Sequence, residues 1–111
     1  MKIPSEVRFV SERAKKSFYD LEKGDSSEKE LFKFIVQALQ NLEEHAHCGI
    51  QIPKKQIPKE YVKRYGIKNL WKYDLPRGWR LIYSVLEDEI LVISLVLEWF
   101  DHDAYKRRFK Y

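Results

Sequence analysis

The chain has 111 residues and a formal net charge of +4, and 44% of its residues are hydrophobic. These values favour one globular domain over residues 1–111 and exclude a disordered chain. Cys48 is the only cysteine, so an internal disulfide is excluded. No apolar run is long enough to cross a bilayer or is arranged as a signal peptide. The sequence therefore predicts a cytoplasmic protein without a membrane partner.

The first half of the chain predicts a strand followed by two antiparallel helices. Residues 6–10 form the candidate strand, and the Ser11 side chain can accept a hydrogen bond from the first turn of the next helix. Gly24 can adopt a positive φ and is predicted to end that helix. Ser27 and Glu30 fit a capping box, which starts the second helix. Apolar residues at helical spacing follow it: Leu31, Ile35, Ala38, Leu39, Leu42 and Ala46.

The second half changes to a strand pattern. Residues 50–69 have no clear period and contain Pro53 and Pro58, so we expect an ordered loop there, with one helical turn at 59–64 as an open alternative. Three strands and two turns are predicted after this loop: strands 70–75, 79–86 and 90–100, with turns 76–78 and 87–89. Short turns between consecutive strands require antiparallel pairing.

The order of elements predicts an α+β fold, β-α-α-β-β-β, with a mainly antiparallel sheet. Both long helices are expected on one face of the sheet. The last strand is nearly continuous in Ile, Leu and Val, which is typical of a central strand covered on both faces. Asp101 is expected to cap a short C-terminal helix over residues His102–Phe109. The other face of the sheet, or its rim, is left for the loop after Gly49 and for the tail.

Basic residues are concentrated in two parts of the chain. Residues 49–80 contain nine lysines and arginines but only two acids, Glu60 and Asp74, whereas residues 1–48 are rich in acids. A second basic run lies at the end: Lys106, Arg107, Arg108 and Lys110. This asymmetry is typical of a surface for a phosphate-bearing or acidic partner, and a solvated basic face is the alternative.

Two segments resemble the RelE/ParE toxin superfamily, and the order of elements matches that family over nearly the whole chain. Residues 70–83, LWKYDLPRGWRLIY, resemble the segment in which a turn leads to an arginine and an apolar-apolar-Tyr strand. Residues 98–105, EWFDHDAY, resemble the closing strand and tail, where a His or Tyr often lies. The resemblance implies a toxin that an antitoxin chain neutralises. RelE-type members cleave mRNA on the ribosome, whereas ParE-type members act on DNA gyrase.

The resemblance also indicates site residues. Arg80 matches the strand arginine of the family, and a guanidinium can grip two phosphate oxygens; an ion pair with Asp74 is the alternative. His102 and Tyr105 lie where the terminal acid or base of the family often sits, and packing positions in the last helix are their alternatives. Glu98 is an alternative base, because no arginine stands near Trp99 as it does in some RelE members.

Other residues are expected to help bind phosphate or to stack on RNA bases. Phosphate-binding or electrostatic roles are assigned to four basic residues: Lys54, Lys55, Lys72 and Arg77. Aromatic residues are interleaved with this basic segment and suit single-stranded RNA: Tyr61, Tyr65, Trp71, Tyr73 and Trp79. At least one of the two tryptophans is expected in the core. His45, His47 and Cys48 lack a second ligand group elsewhere, so neither a metal nor a small-molecule cofactor is predicted.

The sequence therefore leaves two hypotheses about function. The first is a metal-independent, ribosome-dependent mRNA endoribonuclease that uses the ribose 2′-hydroxyl as nucleophile. The second is a non-catalytic protein, either a ParE-like inhibitor of a protein target such as gyrase or an RNA-binding relative that does not cleave. Both hypotheses include an antitoxin partner, because an open basic surface would bind nucleic acid indiscriminately.

Overall fold

The computed structural model of the chain describes residues 1–88 and 91–109. The strands of this part are β1 (Glu6–Phe9), β2 (Ile50–Gln51), β3 (Trp71–Asp74), β4 (Arg80–Glu87) and β5 (Val92–Phe100). The helices are α1 (Glu12–Glu22), α2 (Ser26–Glu44), α3 (Lys59–Tyr65) and α4 (His102–Phe109), with 3₁₀ turns at Lys54–Gln56 and Pro76–Gly78. No helix in these ranges is long and apolar enough to span a membrane.

The strands form one sheet in the order β1-β5-β4-β3-β2. β1 runs parallel to β5, and every other neighbouring pair is antiparallel. The α+β fold with a mainly antiparallel sheet is therefore confirmed. β5 lies between β1 and β4 and is covered on both faces, which explains its near-continuous apolar sequence. The predicted turn at 87–89 and the start of the last strand fall partly on Glu89 and Ile90, which lie outside the described residues, as does Lys110.

Helices α1 and α2 pack on one face of the sheet, and the side chains buried between these helices and the sheet form the first core cluster. Ile35 and Leu42 of α2 are fully buried against Leu81, Tyr83 and other side chains that alternate along β4. Burying one such aliphatic side chain contributes about 1.5–3 kcal/mol to stability. The placement of both long helices on one face is as the sequence predicted.

The opposite face is covered by the segment after β2 and by α4. The second core cluster lies on this face and consists of Ile52, Tyr61, Ile67, Leu70, Ile82, Leu97, Tyr105 and Phe109. The pairing of β4 with β5 shifts register between Ile82 and Tyr83, so that β5 carries one extra residue, Leu97. A bulge of this kind re-aims side chains: Leu97 packs in this second cluster, and the next residue, Glu98, lies opposite Ile82 and so points to the same face.

The predicted start of α1 is confirmed, but its predicted end is not. The Ser11 hydroxyl accepts a hydrogen bond from Ala14 N at 3.1 Å, as predicted. The helix ends at Glu22, its C-cap residue Lys23 has φ −98°, and Gly24 is not among the residues with positive φ. The predicted role of Gly24 is therefore wrong. The absence of a side chain at Gly24 serves close packing, because a Cβ there would lie 2.6 Å from the Glu28 carboxyl group.

The capping box of α2 lies two residues before the predicted one. Asp25 accepts from Glu28 N at 2.9 Å, and the Glu28 carboxylate accepts from Asp25 N at 3.3 Å. Ser27 and Glu30 show the same spacing, but Asp25 comes first and starts the helix earlier. The Glu30 carboxylate instead pairs with Arg77 at 2.8 Å.

Residues 50–69 are more regular than the expected loop. The helical turn considered at 59–64 is present as α3, and Gly66, at φ 64°, ends it in the left-handed region. β2 was not predicted, because a two-residue strand carries no periodic signal. Gly49 permits its approach to the sheet, since a Cβ there would lie 2.5 Å from the Lys72 carbonyl oxygen. Gly49 does not terminate α2, which ends at Glu44.

Candidate functional site

The pairing of β3 with β4 brings three charged side chains to one end of the sheet. Asp74 lies directly opposite Arg80 in the antiparallel register. Lys72 lies two residues before Asp74 and therefore points to the same face. This is the face that α3 and α4 cover, and α4 lies close enough for Tyr105 to contact the cations.

Arg80 is held by an acid and by the main chain. Its Nε lies 2.9 Å from Asp74 Oδ1, and its Nη1 donates to the Gly78 carbonyl oxygen at 2.9 Å. The Nε–H does not point along the line to Asp74, so the contact is an ion pair without hydrogen-bond alignment. The side chain is 19% exposed. The Arg80 guanidinium, which the sequence predicted to bind phosphate, is therefore fixed in place and still reachable from solvent.

Lys72 and Tyr105 complete a four-residue group that we call the Arg80 cluster: Lys72, Asp74, Arg80 and Tyr105. Lys72 Nζ lies 3.3 Å from the same Asp74 oxygen that Arg80 contacts. The Tyr105 ring centroid is 5.8 Å from Lys72 Nζ and 5.6 Å from the Arg80 guanidinium carbon. Two cations thus share one carboxylate and one aromatic ring, and the cluster has one excess positive charge. Such an arrangement can bind an anion that replaces Asp74.

Tyr105 is 3% exposed and stacks on Phe109 with ring centroids 4.5 Å apart. The ring is therefore part of the second core cluster as well as the support of the two cations. Its predicted role as a proton donor or stacking platform stays a prediction. His102, the first residue of α4, is exposed and lies beside the turn, because a Cβ on Gly78 would be 3.4 Å from His102 Cβ.

Arg77 occupies the turn between β3 and β4 in a left-handed conformation, with φ 62°. This region is costly for a residue with a side chain, by about 1–3 kcal/mol. Its Nε pairs with Glu30 of α2 at 2.8 Å, although the side chain is 70% exposed. Arg77 therefore flanks the Arg80 cluster while its guanidinium points toward α2, and its phosphate-binding role remains a prediction.

Lys54 and Lys55 are not brought to the Arg80 cluster by any contact. They lie in the 3₁₀ turn after β2, and both are exposed. β2 runs from Lys72 toward Leu70 and thus away from the end of β3 that carries Asp74. Neither lysine makes an ion pair with any residue in 1–88 or 91–109. Their electrostatic contribution to RNA binding stays a prediction.

A second polar group on the same face was missed from the sequence. The Tyr61 hydroxyl donates to Glu98 Oε2 at 2.5 Å, and Arg108 pairs with Glu60 beside it. Burial raises the pKa of Tyr61, and the hydrogen bond to Glu98 raises it further. Glu98 is thus engaged with a hydroxyl and does not reach the Arg80 cluster through any contact in the described ranges. Tyr61 lies in the aperiodic segment 50–69, so no pattern in the sequence indicated that it pairs with Glu98.

The tryptophans face away from Lys72 and Arg80. Strand alternation puts Trp71 on the side of α1 and α2, where it and Trp79 are half-buried against the first core cluster. His47 lies near Trp71 and its Nε2 is 2.7 Å from Glu87 Oε1. Within residues 1–88 and 91–109, no group of three His, Cys, Asp or Glu side chains is arranged to hold a metal ion.

Comparison with known proteins identifies the family. A model of the ParE toxin of the type II toxin–antitoxin system, parDE, matches residues 9–98. A search of curated proteins and a search of solved structures each gave no significant match. The matched range begins at the last residue of β1 and includes both long helices and the strands that carry Lys72, Asp74 and Arg80, but not α4. The chain therefore belongs to the ParE toxin family, within the RelE/ParE superfamily of type II toxin–antitoxin systems.

Proposed function

We propose that this toxin is a metal-independent endoribonuclease that cleaves mRNA on the ribosome, in the cytoplasm. The observation that carries the proposal is the Arg80 cluster, in which residues distant in sequence converge at one end of the sheet. Lys72 and Arg80 both contact Tyr105 and Asp74 there, and His102 lies beside the adjoining turn. The family membership itself implies an antitoxin partner.

The reaction would transfer the phosphate within the RNA. The ribose 2′-oxygen attacks the neighbouring phosphorus while the bond to the 5′-oxygen breaks, which leaves a cyclic phosphate and a 5′-hydroxyl. Arg80 and Lys72 would bind the non-bridging oxygens, whose negative charge rises in the transition state. His102 is the side chain suited to move a proton to or from the reacting oxygens near neutral pH.

Asp74 would act as a stand-in for the phosphate in the absence of RNA. Its Oδ1 contacts both cations, at 2.9 Å from Arg80 Nε and 3.3 Å from Lys72 Nζ. An RNA phosphate presents more acceptor oxygens than one carboxylate and can take over these contacts. The carboxylate thus keeps two long, flexible side chains oriented until the substrate arrives.

A second candidate function is inhibition of a protein target, such as gyrase, without catalysis. Two observations favour it: Tyr105 is 3% exposed, and the Arg80 guanidinium already has an acid and a carbonyl as partners. In this alternative the cluster is a structural link between α4 and the sheet. A protein that binds RNA without cleaving it is the third outcome to separate.

The test is cleavage of a reporter mRNA in a translation extract, read by primer extension with and without ribosomes. Wild-type protein should cut the translated mRNA, and Arg80→Ala and His102→Ala should each lower the rate by about 10²-fold or more. Arg107→Ala is the matched control, because Arg107 is an exposed arginine of the same helix as His102 and should cut normally.

The outcomes distinguish the candidates. Intact mRNA at protein concentrations that stop cell growth would refute the nuclease, and a loss of gyrase supercoiling in the same preparation would support the inhibitor. Binding of RNA without cleavage would indicate the non-catalytic relative. Cleavage that persists in both the Arg80 and the His102 variant would refute the site and leave the activity.

A further inference from the structure

A groove lies where β1 ends and α1 begins. β1 pairs with β5 only from Glu6 opposite Ile93 to Phe9 opposite Val96, and Val10 N still donates to Val96 O. Past Val96, β5 continues to Phe100 without a strand neighbour on this side in the described residues. A cavity of about 540 Å³ lies beside this open edge.

Two arginines flank the groove from opposite sides. Arg13 comes from the first turn of α1, and Arg64 comes from the last turn of α3. Neither makes an ion pair with a residue in 1–88 or 91–109. The Arg64 guanidinium carbon lies 5.8 Å from the centroid of the Tyr65 ring, in a cation–π interaction. The one acid in the lining, Glu98, accepts a hydrogen bond from Tyr61. The groove therefore has an excess of positive charge.

The floor of the groove is apolar and differs on its two sides. Trp99 packs with the first core cluster, on the side of α1 and Arg13. Leu97 packs with the second cluster, on the side of α3, Arg64 and Tyr65. A strand added at this edge would send alternate side chains to these two sides. Each side offers it one arginine and one apolar surface.

We propose that this groove binds an extended acidic segment of the antitoxin, which adds a strand to the open edge of β5 and pairs one carboxylate with Arg13 and another with Arg64. The proposal rests on the family membership and not on the nuclease activity. An extended peptide supplies the backbone donors and acceptors that a free strand edge lacks. Nucleic acid would satisfy the arginines but leave the strand edge unpaired, so the peptide is favoured.

The alternation of side chains gives a sharp test with synthetic peptides. Two labelled peptides of roughly six residues, a usual strand length, would share one composition of two glutamates among valines and threonines. In the first the glutamates are separated by an odd number of positions, so they face opposite sides; in the second the separation is even, so they face one side. Fluorescence anisotropy should show tighter binding of the first peptide, because only it reaches both arginines.

Charge reversal tests the two arginines with a matched control on each helix. Arg13→Glu and Arg64→Glu should each weaken binding of the first peptide by roughly three- to tenfold, since each removes one partly exposed ion pair and adds a repulsion. Lys15→Glu on α1 and Lys63→Glu on α3 make the same charge change at exposed positions outside the groove. They should bind almost as wild type does. Circular dichroism melting confirms that each variant is folded.

Three outcomes would overturn the proposal. These are equal binding of the two peptides, equal losses in the control and groove variants, and binding of a labelled uridine hexanucleotide, with the same arginine dependence, in place of the peptide. The Arg80→Ala variant should bind the peptide as wild type does, because it lies outside the groove lining. Failure of the nuclease proposal therefore leaves peptide binding intact, and loss of peptide binding leaves mRNA cleavage to be judged separately.

Discussion

Replacing Asp74 by asparagine should strengthen RNA binding by this protein. The Asp74 carboxylate contacts Arg80 at 2.9 Å and Lys72 at 3.3 Å, and its side chain is 49% exposed. A partly exposed ion pair contributes about 0.2–1 kcal/mol, so the two pairs together contribute about 0.4–2 kcal/mol. A phosphate that must displace Asp74 loses this amount. Removal of the Asp74 carboxylate should therefore lower the dissociation constant for RNA by about two- to thirtyfold.

The assay is fluorescence anisotropy with a single-stranded RNA whose 2′-hydroxyls are replaced by hydrogen, so that no cleavage competes with binding. Affinity should be measured over a range of salt concentrations, because each phosphate contact with a single strand adds about 0.7 to the salt slope. If loss of the Asp74 carboxylate frees both Lys72 and Arg80 to bind RNA phosphates, the Asp74→Asn variant should show a steeper salt slope than the wild-type protein.

Asp20→Asn is the control for this change in charge. Asp20 pairs with Lys16 at 2.8 Å on the exposed face of α1, so the variant loses an ion pair of similar geometry far from the Arg80 cluster. General electrostatic attraction would make both variants bind more tightly by the same factor. Unchanged or weaker binding by Asp74→Asn would refute the view that Asp74 occupies the position of the phosphate.

Three further predictions concern stability and reactivity. Tyr83→Phe should lower the free energy of unfolding by about 1–3 kcal/mol in urea denaturation, because the buried hydroxyl accepts from Gly49 N at 3.0 Å and its loss leaves that group unpaired; an unchanged value would contradict the hydrogen bond. Asp25→Ala should cost about 1 kcal/mol, whereas Ser27→Ala should cost much less, and the reverse order would restore the capping box expected from the sequence. Burial raises the pKa of Cys48, although the thiol is exposed enough to react. Its alkylation by iodoacetamide should therefore be slower than that of free cysteine near pH 8, and the rate should increase at higher pH. A rate above that of free cysteine would refute the raised pKa.

The alternative functions differ in what they require of α4. A nuclease needs Arg80 and Lys72 to be reachable by a phosphate, and both side chains are 19% exposed. An inhibitor needs only that α4 remain docked, which Tyr105 and Phe109 achieve by burial. The response of RNA affinity to Asp74→Asn therefore also bears on which of the two functions the cluster serves.

Local chemistry in the sequence determined several elements of this protein. Asp101 caps α4 through its Oδ1, which accepts from Ala104 N at 2.8 Å, and α4 spans His102–Phe109 as predicted. Ser11 caps α1 in the same way. The antiparallel order of the last three strands and the central place of β5 were also predictable. Caps, turns and apolar periods act over a few residues, so they are readable without knowledge of the rest of the chain.

Tertiary structure decided the features that depend on partners far along the chain. β2 exists because Gly49 lets the backbone approach Lys72, and the strand is too short to carry a pattern of its own. The contact of Tyr105 with Arg80 requires α4 to fold back over the sheet. The groove at Arg13 requires β1 to end before β5 does. The sequence indicated which residues carry charge, but strand register and helix docking determined which of those charges meet, because such contacts join residues that no local period connects.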